Sequence, residues 1–204
     1  LKNLFEKIAL VEPDEADAIA DSIIDWRDED DVAHKSGKEN DYYRSLERPY
    51  DCKNSDFEVK EELLWVAGVR PEMFDRIKDH ITVHGEGAVN VNTADAPVLV
   101  TLGMDEELAE KVIRFRTVSS SKKGDEVPEG IFDDTASIVD LLSTTESLSG
   151  NEITQLQRVV PMLGVRSDNF KGYILGSYVQ EGKKEEIVFV YDRKEQILKS
   201  WREW

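Results

Sequence analysis

Residues 173–201 read YILGSYVQEGKKEEIVFVYDRKEQILKSW, and apolar side chains recur in this run at every second position. Tyr173, Leu175 and Val179 fall on one face of an extended strand, and Ile187, Phe189 and Tyr191 on one face of a second. Ile197 and Trp201 define a third strand face. Glu181-Gly182-Lys183 and Asp192-Arg193-Lys194 supply the turns. The reading is a three-stranded antiparallel meander of about 35 residues, too small to be stable without a helical layer to cover it.

Upstream of Pro161 the period is 3.6 instead of 2. Ala16, Ile19, Ala20, Ile23 and Ile24 follow the stripe of one buried helix face, and Pro13 with Asp14 and Glu15 makes its start. Pro71 opens a helix with Met73, Phe74 and Ile77 inward, and Pro97 opens another with Val98, Leu99 and Leu102 inward. Leu108, Ala109, Val112 and Ile113 stripe a fourth; Ile138, Leu141 and Leu142, then Ile153, Leu156 and Val159, predict two more. Residues 118–130 read as an exposed loop. A helical block followed by strands predicts an α+β fold, with a helical domain over residues 1–165 and a β-meander over 166–204.

The chain has 204 residues, with 43 Asp+Glu against 26 Lys+Arg and a formal net charge of −17. A field of that sign opposes phosphate backbones and suits cations or basic protein partners. The single cysteine, Cys52, excludes an intrachain disulfide, so stability in an exported protein must come from the core or a metal. No run approaches the ~20 apolar residues of a membrane span. The chain starts at Leu1 and not at Met, which reads as a trimmed piece of a longer protein.

The acidic residues concentrate in residues 25–43. Asp25, Asp28, Asp30, Asp31, Glu39 and Asp41 stand beside Trp26, Tyr42 and Tyr43. So many carboxylates repel one another unless they are solvated or neutralised, and a hard cation with flexible oxygen coordination neutralises them. Asp28, Asp30, Ser36 and Glu39 fall at positions 1, 3, 9 and 12 of an EF-hand-like count, but Val32 and Ala33 break it where a ligand and a turn glycine belong. The expected site is a calcium loop other than an EF-hand, held by Asp28, Asp30, Glu39 and Asp41, with Asp25 capping the helix or supporting from behind. Arg27 is read as a local counter-ion. The bland alternative is a solvated acidic loop.

The same residues carry a family resemblance. Asp25-Trp26-Arg27-Asp28-Glu29-Asp30, Gly37-Lys38-Glu39-Asn40-Asp41-Tyr42-Tyr43, Pro49-Tyr50 and Lys53-Asn54 resemble the K-type minor pseudopilins of the bacterial type II secretion system. The likeness continues through Glu62-Leu63-Leu64 and Val66-Ala67-Gly68-Val69 to Val89-Asn90-Val91-Asn92-Thr93-Ala94, although Lys38 and Cys52 depart from it. It implies a helical domain inserted into a small pseudopilin β-scaffold, placement at the pseudopilus tip, and I- and J-type minor pseudopilins as partners. It further implies a periplasmic domain on an inner-membrane anchor upstream of Leu1. A helical block this large is too bulky to repeat along a filament and fits only its end.

Other motifs read as structural. Val66-Ala67-Gly68-Val69 and Leu102-Gly103-Met104 sit between short helices, which resembles helix-hairpin-helix architecture. The second hairpin carries Asp105, Glu106 and Glu107, which repel a phosphate, so a nucleic-acid-binding hairpin domain is only the alternative function. Asn90, Asn92 and Thr93 or Asp95 suit turn and cap roles. His80 and His84 have the i,i+4 spacing of a zinc pair on a helix, but β-branched residues separate them and no third ligand follows. No nucleophile elbow, phosphate loop or dinucleotide fingerprint occurs, so an enzyme is not expected.

Overall fold

The computed structural model describes residues 1–118, 130–178 and 183–203. Val179 and the Glu181-Gly182 turn lie outside these residues, as does most of the 118–130 segment read as a loop.

The helical block contains two buried cores. The first forms around α2 (Pro13–Arg27), which starts at Pro13 with Asp14 and Glu15 in its first turn. Ala16, Ile19, Ile23 and Trp26 of its stripe are buried, while Ile24 lies at the stripe's edge and is 39% exposed. Against it pack the segment α1 (Lys2–Leu4) continuing as a π-helix (Phe5–Ala9), a 3₁₀ helix (Lys60–Trp65) and α4 (Pro71–Ile77). Phe5 is fully buried. The N-terminal segment is too short for its periodicity to stand out in the sequence.

The second core joins α5 (Ala96–Leu102), α6 (Glu106–Val118), α7 (Ile138–Thr145) and α8 (Gly150–Val159) around Leu99, Leu108, Val112, Leu142 and Leu156. Asp95 accepts a bond from the Val98 N–H and caps α5. Lys111 of α6 and Glu152 of α8 form a buried ion pair of 2.6 Å, and Glu152 also accepts from the Ser149 N–H in a capping box. Asn92 ties three segments together. Its side chain donates to the carbonyls of Phe132 and Val165 and accepts from the Phe132 N–H. Beside it β1 (Val89–Asn90) pairs in parallel with β2 (Leu163–Gly164).

The hairpin glycines adopt left-handed backbone, Gly68 at φ 86° and Gly103 at φ 116°. Two α-helices flank Gly103, whereas Gly68 follows the 3₁₀ helix.

The C-terminal residues form the expected antiparallel sheet, β3 (Asn169–Tyr178), β4 (Lys183–Asp192) and β5 (Ile197–Glu203), in that order. Ile187, Phe189 and Tyr191 share a face. Ile197 and Trp201 do not, contrary to the alternation read from the sequence. Ile197 pairs with Asp192 and Trp201 with Phe189, and a register shift between Val190 and Tyr191 separates them. A bulge places one extra residue on one strand and flips the alternation beyond it. One sheet face carries Phe170, Ile174, Leu198 and Trp201, all exposed. The other turns toward the helical block, where Arg202 makes a forked pair with Glu61 (2.7 and 3.0 Å) and Lys194 pairs with Glu86 (3.0 Å).

Candidate metal centre

The acidic loop joins the end of α2 to α3 (Asn40–Arg44). Trp26 and Tyr43 fix its two ends, packed edge to face at 5.2 Å between ring centroids, and Tyr43 stacks in turn on Tyr50. The Tyr43 hydroxyl accepts from the Ala67 N–H, which links the loop to the first hairpin. Anchored this way, the carboxylates of residues 25–39 converge when they could have splayed into water.

Asp28, Asp30 and Glu39 each bring an oxygen to within 4.8 Å of the others, and Asp25, Asp28 and His34 form a second such group. Asp28 follows the last residue of α2, and Glu39 precedes the first residue of α3, so the two helix ends bring them together. Glu39 is only 6% exposed, yet neither of its carboxylate oxygens has a hydrogen-bond partner. Asp28 Oδ1 and Asp25 Oδ2 are likewise unpartnered. Buried polar groups are ordinarily satisfied, because an unpaired one retains its full desolvation cost. Burial first, then the charges of neighbouring carboxylates, raise the Asp28 and Glu39 carboxyls above their ordinary values. A site with several unpaired, mutually repelling oxygens fits a hard divalent cation.

Two of the loop carboxylates also tie down the loop itself. Asp30 Oδ1 accepts from the Val32 N–H at 2.8 Å, and Asp31 Oδ1 accepts from the side-chain amides of Asn40 (2.6 Å) and Asn54 (3.3 Å). Asp41 is exposed in the first turn of α3 and belongs to neither convergent group among the described residues. Arg27 turns to Asp56 (2.5 Å) and not to the acidic cluster, which removes it as the local counter-ion.

Asp25 is fully buried. Its Oδ1 accepts from the His34 N–H at 3.0 Å and lies 2.5 Å from His34 Nδ1, holding the loop against α2. The hydrogen bond with Asp25 raises the His34 pKa. His34 had not stood out in the sequence, because nothing in the spacing of a lone histidine nine residues beyond Asp25 announces a turn between them. Asn54 was missed too. Its amide donates to the Asp30 carbonyl at 3.0 Å, and its carbonyl oxygen is buried without a partner.

His80 and His84 lie beyond the end of α4, so no helix presents them as a pair. His80 sits 3.1 Å from Asp95, and burial lowers the His84 pKa. Asp105 occupies the tip of the second hairpin, accepting from the Leu108 N–H and from the Gln155 amide. An anion is already seated where a phosphate would approach.

Residues 1–86 match the family model described as type II secretion system (T2SS), protein K. The whole chain superposes on 67% of a chain in the crystal structure of the GspK-GspI-GspJ complex from the enterotoxigenic Escherichia coli type 2 secretion system, with a TM-score of 0.70 and 18% identity. No curated protein matches the sequence. The matched residues 1–86 include the run from Asp25 onward whose resemblance pointed the same way, and the mixed helical and three-stranded fold agrees with that of the superposed chain. No helix among the described residues is long and apolar enough to cross a membrane.

Proposed function

We propose that this chain is the periplasmic part of a pseudopilus tip subunit, serving protein secretion as a structural component in complex with I- and J-type minor pseudopilins. The observation that carries the reading is its superposition over its full length on a chain from a GspK-GspI-GspJ complex, together with the family match over residues 1–86. The bulky helical block supports a terminal position, since a helical filament has no room for it at every repeat. An inner-membrane anchor upstream of Leu1 belongs to the same proposal. So does a helical domain over residues 1–165 carried on the sheet of residues 166–204. Catalysis has no part in it.

Calcium is the second element. Asp28, Asp30 and Glu39 hold the ion, and Asp41 contributes charge from the adjoining helical turn. The unpartnered, buried oxygens of Glu39 support this assignment. The ion would lock the loop between α2 and α3, adding stability in place of disulfides.

The test of function is assembly. Mixed with soluble I- and J-type minor pseudopilins, the protein extended upstream by its pseudopilin helix elutes as an equimolar complex in size-exclusion chromatography. Three separate peaks at micromolar concentration would refute the reading.

A further inference from the structure

A cleft of about 1000 Å³ separates the helical block from the inward face of the sheet. Among the described residues, cations and carboxylates line it in equal number, although the whole chain has 26 Lys+Arg against 43 Asp+Glu. Its carboxylates are largely engaged, Glu61 by Arg202, Asp192 by Lys199 and Glu86 by Lys194. Lys60 and Lys171, by contrast, form no ion pair with a carboxylate among the described residues. The Lys60 ammonium donates to the Lys78 carbonyl, and that of Lys171 lies 4.9 Å from the Tyr173 ring centroid. Burial first, then the nearby charge of Lys171, hold the Lys60 amine below its ordinary value. Both ammonium groups therefore line the cleft with no carboxylate in ion-pair contact among the described residues.

The walls beside them are apolar, built from Ile81 on the helical side and Val188 and Val190 on the sheet. The Glu61–Arg202 and Glu86–Lys194 pairs brace the opposite walls. A single small anion has no use for an apolar wall, and the volume reaches the upper end of ligand pockets, roughly 300–1,000 Å³.

We propose that this cleft binds a peptide segment in which acidic side chains stand beside apolar ones. Its carboxylates pair with Lys60 and Lys171, and its apolar side chains lie against Val188, Val190 and Ile81. The site is separate from the acidic loop and does not depend on the pseudopilus assignment. Local pairing must overcome the repulsion of a chain at −17, so the interaction is of moderate strength.

The probe is a fluorescent peptide of alternating glutamate and leucine, followed by anisotropy, with a lysine-for-glutamate peptide and inorganic phosphate as the other arms. We expect micromolar binding of the acidic peptide alone, and a loss of about tenfold or more in Lys171→Glu and in Lys60→Gln, each checked for an unchanged melting curve. Lys171 is exposed, so its variant folds even where that of Lys60 does not. Absence of binding overturns the proposal, as does affinity unchanged in Lys171→Glu. Displacement by phosphate at concentrations equal to the peptide's would reduce the site to one for simple anions and also overturn it.

Discussion

A Cβ on Gly37 would fall 1.9 Å from Oδ2 of Asp25, so the loop passes the end of α2 with no room for a side chain. Gly37 is needed for space alone, as its backbone is not left-handed. The close approach is what brings His34 onto Asp25 and Glu39 toward Asp28. Replacing Gly37 with alanine should push the loop outward, cost about 1–3 kcal/mol as an overpacked site does, and reduce the stabilisation by calcium. Urea denaturation with and without the ion measures both. An unchanged midpoint in both conditions would show that the loop's path is not constrained at this point.

Glu39 predicts a crossing. Without calcium its buried, unpartnered carboxylate is a cost, so Glu39→Gln should melt at the same temperature as the parent or above it. With calcium the order should reverse, because an ion bound only to the native state adds about 2.7 kcal/mol at a hundredfold excess over Kd. Asp41→Asn should keep most of that gain. Melting curves that ignore both calcium and chelator would remove the metal assignment.

The Lys111–Glu152 pair sets an acid response. Its hydrogen bonds to Lys111 and Ser149 bring the Glu152 carboxyl down to about 2 from 4.5. With a depressed folded value the stabilisation is full above 4.5, because only the unfolded chain then takes up the proton as pH falls, and it is lost by about 2. Glu152→Gln should be less stable than the parent at neutral pH, where it leaves the buried Lys111 with only the exposed Glu107 as its ion-pair partner (3.1 Å), and the gap should close toward pH 2. Denaturant midpoints across that range decide it; a gap constant with pH would show that the pair does not govern acid stability.

The hairpins should not bind DNA at physiological salt. Asp105 already holds the Leu108 N–H and the Gln155 amide at the tip, and the chain carries −17. Submicromolar, salt-dependent binding in an anisotropy titration would restore the nucleic-acid alternative.

Local periodicity determined the helices. The stripe Ala16, Ile19, Ile23, the prolines at 13 and 71, and the cap at Asp95 depend only on neighbours a few residues apart, and each lies where the sequence puts it. The strands and the concentration of acids in residues 25–43 were legible for the same reason. Tertiary structure decided the rest. A bulge turned Ile197 and Trp201 to opposite faces, Arg27 found Asp56 in place of the acidic loop, and Asp25 took His34 as its partner. It also brought Lys60 and Lys171, more than a hundred residues apart, to the lining of one cleft between block and sheet. Backbone repeats act over one or two turns and are written in consecutive residues. Which carboxylate stays unpaired, and which lysines share a cleft, depends on how whole elements pack, and no spacing in the sequence records that.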